Sequence, residues 1–229
     1  INPDAVAYFQ KVAVANKRMD KEAVSDDVWS VLQNLNLINE EGKIKKAALL
    51  LFGKQPEKFV SAPYFRIGRF RKDDTDLIFQ DSVECDLIRM ADRVVELLKS
   101  KYLISPIYYE GLRRIEDLEI PEDALREAIF NAIIHKDYTG VHIQMKVWDD
   151  RVEIWNDGGL PYDMSIEKLL GPHTSKPRNV NIASVFYKAG FIESWGRGIL
   201  KIQKGFADSG IKAPLFEEDC GGVRVTMYR

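Results

Sequence analysis

The chain has 229 residues, 45% hydrophobic and 30% charged, with a formal net charge of −2. This is an ordinary globular composition, long enough for one large domain or two small ones, and it excludes a chain-wide basic surface for nucleic acid. Cys85 and Cys220 are too few for a disulfide framework or a cysteine metal cluster, and no apolar run nears the ~18 residues that span a bilayer. A reducing, cytoplasmic setting is expected. Ile at position 1, where a complete chain has Met, raises the expectation of a longer parent protein.

Residues 1–103 read as a mixed α/β segment. Helical spacing runs over Val6–Ala15 and Asp26–Leu37, with Ser25 placed to cap the second. Asn39–Gly42 turns, and the apolar block of Ile44–Phe52 closes at Gly53 and Pro56 as a short buried helix. The lysines 43, 45 and 46 leave two readings open, a winged-helix DNA reader and a solvated face. Tyr64–Lys72 is a basic strand with its arginines on one side, neutralised by Asp73, Asp74 and Asp76. Val83–Tyr102 follows as an amphipathic helix, packed on its own lobe, bridging two lobes or forming a homodimer seam.

Residues 104–229 form the second segment. Ile104–Ile120 reads as a strand pair with Gly111 near its turn, and Pro121 opens a helix reaching His135. Nearly every position of that helix is apolar, except that Glu127, Asn131 and His135 recur at i, i+4 and i+8. A helix apolar almost all round is buried, so its polar stripe either pairs internally or lines a cavity. His135 is expected to brace the Lys136–Tyr138 turn. Val141–Val147 and Arg151–Trp155 alternate as a hairpin that ends in Asn156-Asp157-Gly158-Gly159-Leu160. Residues 161–195 lack long elements, apart from a short helix over Ile182–Lys188. Their His173, Thr174, Ser175, Lys176 and Arg178 are side chains suited to phosphate oxygens. Gly196-Arg197-Gly198 opens a helix over Ile199–Ala207, and Val223–Met227 closes the chain as a strand.

Taken in order, E-A-I-F-N-A-I-I-H-K-D-Y, W-N-D-G-G-L-P, H-T-S-K-P-R-N and E-S-W-G-R-G-I resemble the GHKL, or Bergerat-fold, ATPases of the gyrase, histidine-kinase and MutL type. The nearer resemblance is to a divergent branch of RecG-related transcriptional regulators that carry an AlbA-type or Schlafen-like N-terminal domain. That N-terminal part would lie before Ile1. The resemblance implies an α/β (α+β) fold, a Bergerat-type sandwich with a mixed, mostly antiparallel sheet. It implies ATP and Mg²⁺ as ligands, Glu127 as the base that activates water, and Asn131 as the metal-binding amide. Asn156, Asp157, Gly158 and Gly159 fall on the base-reading turn. Gly196, Arg197 and Gly198 fall on the phosphate box, with Thr174, Lys176 and Arg178 in the ATP lid. Asn156 stands where the superfamily has Asp, and Leu160 where it has a second glycine. DNA is an expected partner only through the full-length protein. No G-x-x-x-x-G-K-[ST] occurs, so a RecG-type helicase motor is not expected.

Overall fold

The computed structural model describes residues 1–103, 107–111, 113–116, 118–193 and 196–229. Among these, eight α-helices and a six-stranded sheet form the α/β class the sequence implies. The sheet order is β2(Leu77–Val83), β1(Phe65–Phe70), β5(Ile143–Val147), β6(Arg151–Asp157), β8(Gly222–Tyr228) and β7(Leu215–Asp219). Only β1 and β5 run parallel; the other neighbours are antiparallel. The sheet draws β1 and β2 from before residue 103 and β5 to β8 from after it. A separate hairpin pairs β3(Ile107–Glu110) with β4(Arg113–Glu116).

Strand alternation builds the inner face. Phe65 and Ile67, Ile143, Met145 and Val147, and Val152 and Ile154 are all buried beneath the helices. Helix α4(Leu87–Leu97) lies against β2, and α5(Glu122–His135) lies against β6. Behind them pack α1(Pro3–Ala15), α3(Lys46–Phe52) and α7(Val180–Ala189). The apolar face of α4 is consumed here: Leu87, Ile88, Met90, Ala91, Val94 and Val95 are buried between α1, α3, α5 and β2. Helix α5 is enclosed by α4, α7, β6 and α8(Gly198–Asp208), which is why eight of its residues are buried.

Several local expectations change. Ser25 belongs to a 3₁₀ segment, Lys21–Ser25. Asp27 opens α2(Val28–Asn34), its carboxylate accepting the Trp29 and Ser30 amides at 2.8 and 3.2 Å. Val83 ends a strand, and α4 starts three residues later at an Asp86 cap. Arg66 and Arg69 point to opposite faces of β1, since three residues is an odd step on a strand. Arg69 donates to the Val147 carbonyl at 3.1 Å and pairs with Asp149, whereas Arg66 is exposed. Two further elements, β7 and α6(Ile166–Leu170), lie where no regular structure was expected.

A polar contact fixes α5 among the outer helices. Asp92 on α4 accepts the Tyr8 hydroxyl from α1 and the Arg126 guanidinium from α5, the latter at 2.7 Å. Removing one acceptor therefore leaves two partly buried donors unpaired. Asp92→Ala should cost about 2 kcal/mol of stability by urea unfolding, and Asp92→Asn, which keeps an acceptor, should cost less.

Candidate functional site

One cleft collects the chemistry. It lies between α5, the end of β6, the 160–179 segment and the start of α8, and encloses about 1140 Å³ with its mouth included. Its floor is apolar, formed by Ala128, Ile154, Ile202, Phe216, Val223 and Val225. Onto this floor α5 projects Glu127, Asn131 and His135, all partly buried, so the i, i+4, i+8 stripe faces the cleft.

The first two residues of the stripe touch each other. Asn131 Nδ2 donates to Glu127 Oε1 at 3.3 Å. Burial raises the Glu127 pKa and the neighbouring Glu193 adds to it, while Lys201 on α8 and the Asn131 bond pull the other way. The third residue, His135, is held neutral: burial, Arg178 and His173 lower its pKa to about 4. The turn after it is braced by other groups. The Tyr138 hydroxyl donates to Ile133 O at 3.0 Å, and Asn179 Nδ2 donates to both Ile134 O (2.8 Å) and Lys136 O (2.7 Å). Lys136 is wholly buried, its ammonium donating to Asp137 O at 2.8 Å. His135 thus lines the cleft, and the turn it was expected to brace is held instead by Tyr138 and Asn179.

At the end of β6 the alternation separates two neighbours. Asn156 faces inward with Val152 and Ile154, 6% exposed, and lines the cleft. Asp157 faces the other way, its carboxylate accepting the Val141 amide at 3.1 Å and its carbonyl the Asp137 amide at 2.7 Å. Gly158 has φ +105°, and a Cβ there would press on Arg178 and on the backbone of 135–137. Gly158, Gly159 and Leu160 line the cleft, and the Leu160 amide is held by Glu218 at 3.2 Å. Arg178 stands behind this turn, donating to Gly159 O at 2.8 Å.

The phosphate-type residues come from two loops in contact. Thr174, Ser175 and Lys176 line the cleft, and Lys176 pairs with Asp163 across the loop. His173 Nδ1 donates to Gly171 O at 2.9 Å. Gly196 sits with φ +66°, and a Cβ there would fall on His173 O. A Cβ on Gly198 would fall on the Glu127 carboxylate. Gly196, Arg197 and Gly198 all line the cleft, at the amide-rich start of α8.

Ten of the twelve residues to which the resemblance gave a role therefore share one cavity: Glu127, Asn131, Asn156, Gly158, Gly159, Thr174, Lys176, Gly196, Arg197 and Gly198. Asp157 and Arg178 lie outside its wall and fix the turn that forms it. Sequence reasoning missed Lys201, Glu193 and the Asn179 clamp. Glu193 and Asn179 stood at the ends of the quoted E-S-W-G-R-G-I and H-T-S-K-P-R-N motifs, and Lys201 three residues into a helix that begins at Gly198. Asn131 Oδ1 is the kind of hard oxygen that suits Mg²⁺, and the amide-rich start of α8 lines the cleft where a phosphate chain could approach. Among the described residues no group of three or more His, Cys, Asp or Glu could hold a metal ion. Among the described residues, too, no helix is long and apolar enough to cross a membrane.

Residues 140–227 match the family model described as "Putative ATP-dependent DNA helicase recG C-terminal". Over those residues the chain is similar to an ATPase-like, RecG-related domain. The match takes in β5 to β8, the loop and α8, while α5 with Glu127 and Asn131 precedes it. The crystal structure of the DIP2311 protein from Corynebacterium diphtheriae is similar in fold, with TM-score 0.78 and 21% identity. The likeness covers 99% of this chain and 44% of that one, so this chain spans less than half of that relative's length. No curated protein sequence matches the chain.

A buried neutral histidine makes stability depend on pH. With the folded pKa near 4 and the unfolded value near 6.5, the unfolded state binds more protons throughout that window, so acidification destabilises the fold. Between about pH 7 and pH 5 the parent should lose about 2 kcal/mol more than His135→Gln in urea titrations.

Proposed function

We propose that this chain is an ATP-binding regulatory module of a larger, DNA-associated transcriptional regulator, using the nucleotide with Mg²⁺ as a conformational ligand and hydrolysing it slowly. The observation that carries the proposal is convergence. A carboxylate and an amide one helical turn apart, two glycine turns and a cationic loop meet over an apolar floor in one cleft. The family match to an ATPase-like, RecG-related domain supports the same reading.

Each group has a chemical task in this reading. The adenine ring lies on the apolar floor beside Asn156. The phosphates meet the α8 amides, Lys176 and Thr174, where the helix dipole favours negative charge. Asn131 would hold Mg²⁺, which when bound would neutralise charge on the phosphates. Glu127, its pKa raised by burial, accepts the proton of the attacking water. Contact with DNA belongs to parts of the protein beyond this module.

Calorimetric titration with ATP, ADP and GTP, with and without Mg²⁺, tests this directly. ATP should bind, and Asn131→Ala should weaken it mainly when Mg²⁺ is present. Gly198→Val should abolish binding, because its side chain would occupy the Glu127 position and block the amides. A Gly198→Val variant that binds as tightly as the parent would remove the phosphate box from the site.

Catalysis has its own measurement. Glu127→Gln keeps size and hydrogen bonding but cannot take a proton. It should eliminate phosphate release while leaving ATP affinity nearly unchanged. The parent's turnover should sit well below the ~10 s⁻¹ median of enzymes. No hydrolysis by the parent would leave a binding module; normal hydrolysis by Glu127→Gln would make the carboxylate structural.

A further inference from the structure

Among the described residues that line the cleft, both lysine or arginine side chains are already held by a carboxylate. Lys176 pairs with Asp163, and Arg197, the residue before α8, pairs through Nη2 with Glu193 Oε2 at 2.5 Å. The other oxygen of that carboxylate, Glu193 Oε1, accepts the Lys201 ammonium at 2.7 Å. Glu193 thus engages two cations at once, one with each oxygen. The two carboxylates differ in place. Glu193 itself lines the cleft, whereas Asp163 lies outside that lining and meets Lys176 across the loop.

Its position makes the Glu193 carboxylate a rival of any anionic ligand. The first-turn amides of α8 point toward this end of the cleft, and Arg197 at the N-cap makes no side-chain bond to them. The positive end of the helix dipole adds to Arg197 and Lys201, so negative charge is drawn here whether it comes from a ligand or from the chain. The Lys201 bond, with Arg197 adding to it, outweighs burial and lowers the Glu193 pKa below the ordinary glutamate value, which keeps the group ionised near neutrality. Glu193 is 35% exposed and both cations more so, hence solvent screening leaves the two pairs weak and readily exchanged.

Resting on the nucleotide reading above, we infer that Glu193 is an internal competitor for the phosphate end of the cleft. It occupies Arg197 and Lys201 in the ligand-free chain, and a polyphosphate must displace it to reach them. The contact lowers affinity, so the module fills at a higher nucleotide concentration than the same cleft would without it. A brace for the start of α8 is the other role these bonds could play, and the two roles have opposite signs. Loss of a brace loosens the helix start and weakens binding. Loss of a competitor frees two cations and strengthens it.

The test is calorimetric titration of ATP in Mg²⁺ buffer into the parent, Glu193→Gln, Glu193→Ala and Asp208→Asn, each checked by thermal melting. Both Glu193 variants remove the charge, so the result does not hang on the folding of one of them. Each should bind ATP about tenfold more tightly than the parent, the scale expected for one partly screened charge beside a polyanion. Asp208 is an exposed acid at the far end of α8, about 15 Å from Gly198 at the rise of a helix. Asp208→Asn changes the net charge by the same amount and should bind as the parent does. Equal or weaker binding by the Glu193 variants, or the same gain from Asp208→Asn, would overturn this inference and leave the nucleotide reading intact. Failure of the parent and of every variant to bind would overturn the nucleotide reading itself, and this inference with it.

Discussion

The structure depends on the burial of α5 on nearly every side. Sheet, α4, α7 and α8 close around it, and its apolar residues fill the space between them. In such an environment a polar side chain is costly unless it finds a partner or a cavity. Glu127, Asn131 and His135 lie one turn apart in succession, so the cost falls on a single stripe, and the cleft runs along that stripe. Everything else in the site is arranged around this line: the glycine turn at its carboxyl end, the α8 start beside Glu127, and the 160–179 segment over the top.

Two glycines show how tightly the elements are set. Gly198 lets α8 begin against the Glu127 carboxylate, and Gly196 lets the helix approach the carbonyl of His173. These demands come from packing as well as from any ligand. Glycine at these positions would be needed for the loops to meet even in a molecule that bound nothing. What distinguishes the site from a merely tight junction is the combination of bare backbone with an enclosed, partly polar space.

Legibility followed periodicity. The stripe on α5 could be read because three polar residues at helical spacing stand out in an apolar sequence. The hairpin of β5 and β6 showed itself by alternation, with Asn156 and not Asp157 on the inner parity. The edge strands did not show themselves. β2 and β7 each have one neighbour, so Leu77, Ile78 and Leu215 stay exposed, and acidic residues in β7 blur the pattern. The helix expected from Val83 also failed, because the strand before it is as apolar as the helix that follows Asp86. Lys136 was opaque for another reason: beside Asp137 it resembles a solvated turn, and only the tertiary meeting of α5, β6 and Asn179 buries it.

That meeting also explains how the far parts of the site stay in register. Asp157 ties the 137–141 turn to β6 through its carbonyl and its carboxylate, and Asn179 ties the start of α7 to the last carbonyls of α5. The loop over the cleft is thus anchored at both ends, to β7 through Glu218 and to the helix that carries Glu127 through Asn179. At one end the anchor is the Gly158–Leu160 turn, held by Arg178 and Glu218; at the other it is Asn179. Between the anchors, Lys176 and Asp163 form a pair exposed enough for solvent screening to keep it weak. That exposed ion pair can be given up for a phosphate without disturbing either anchor, since α6 between them packs against α8 and β7. The polyanion would then exchange one exposed contact, while the geometry of the stripe on α5 stays fixed by hydrogen bonds that the ligand never touches.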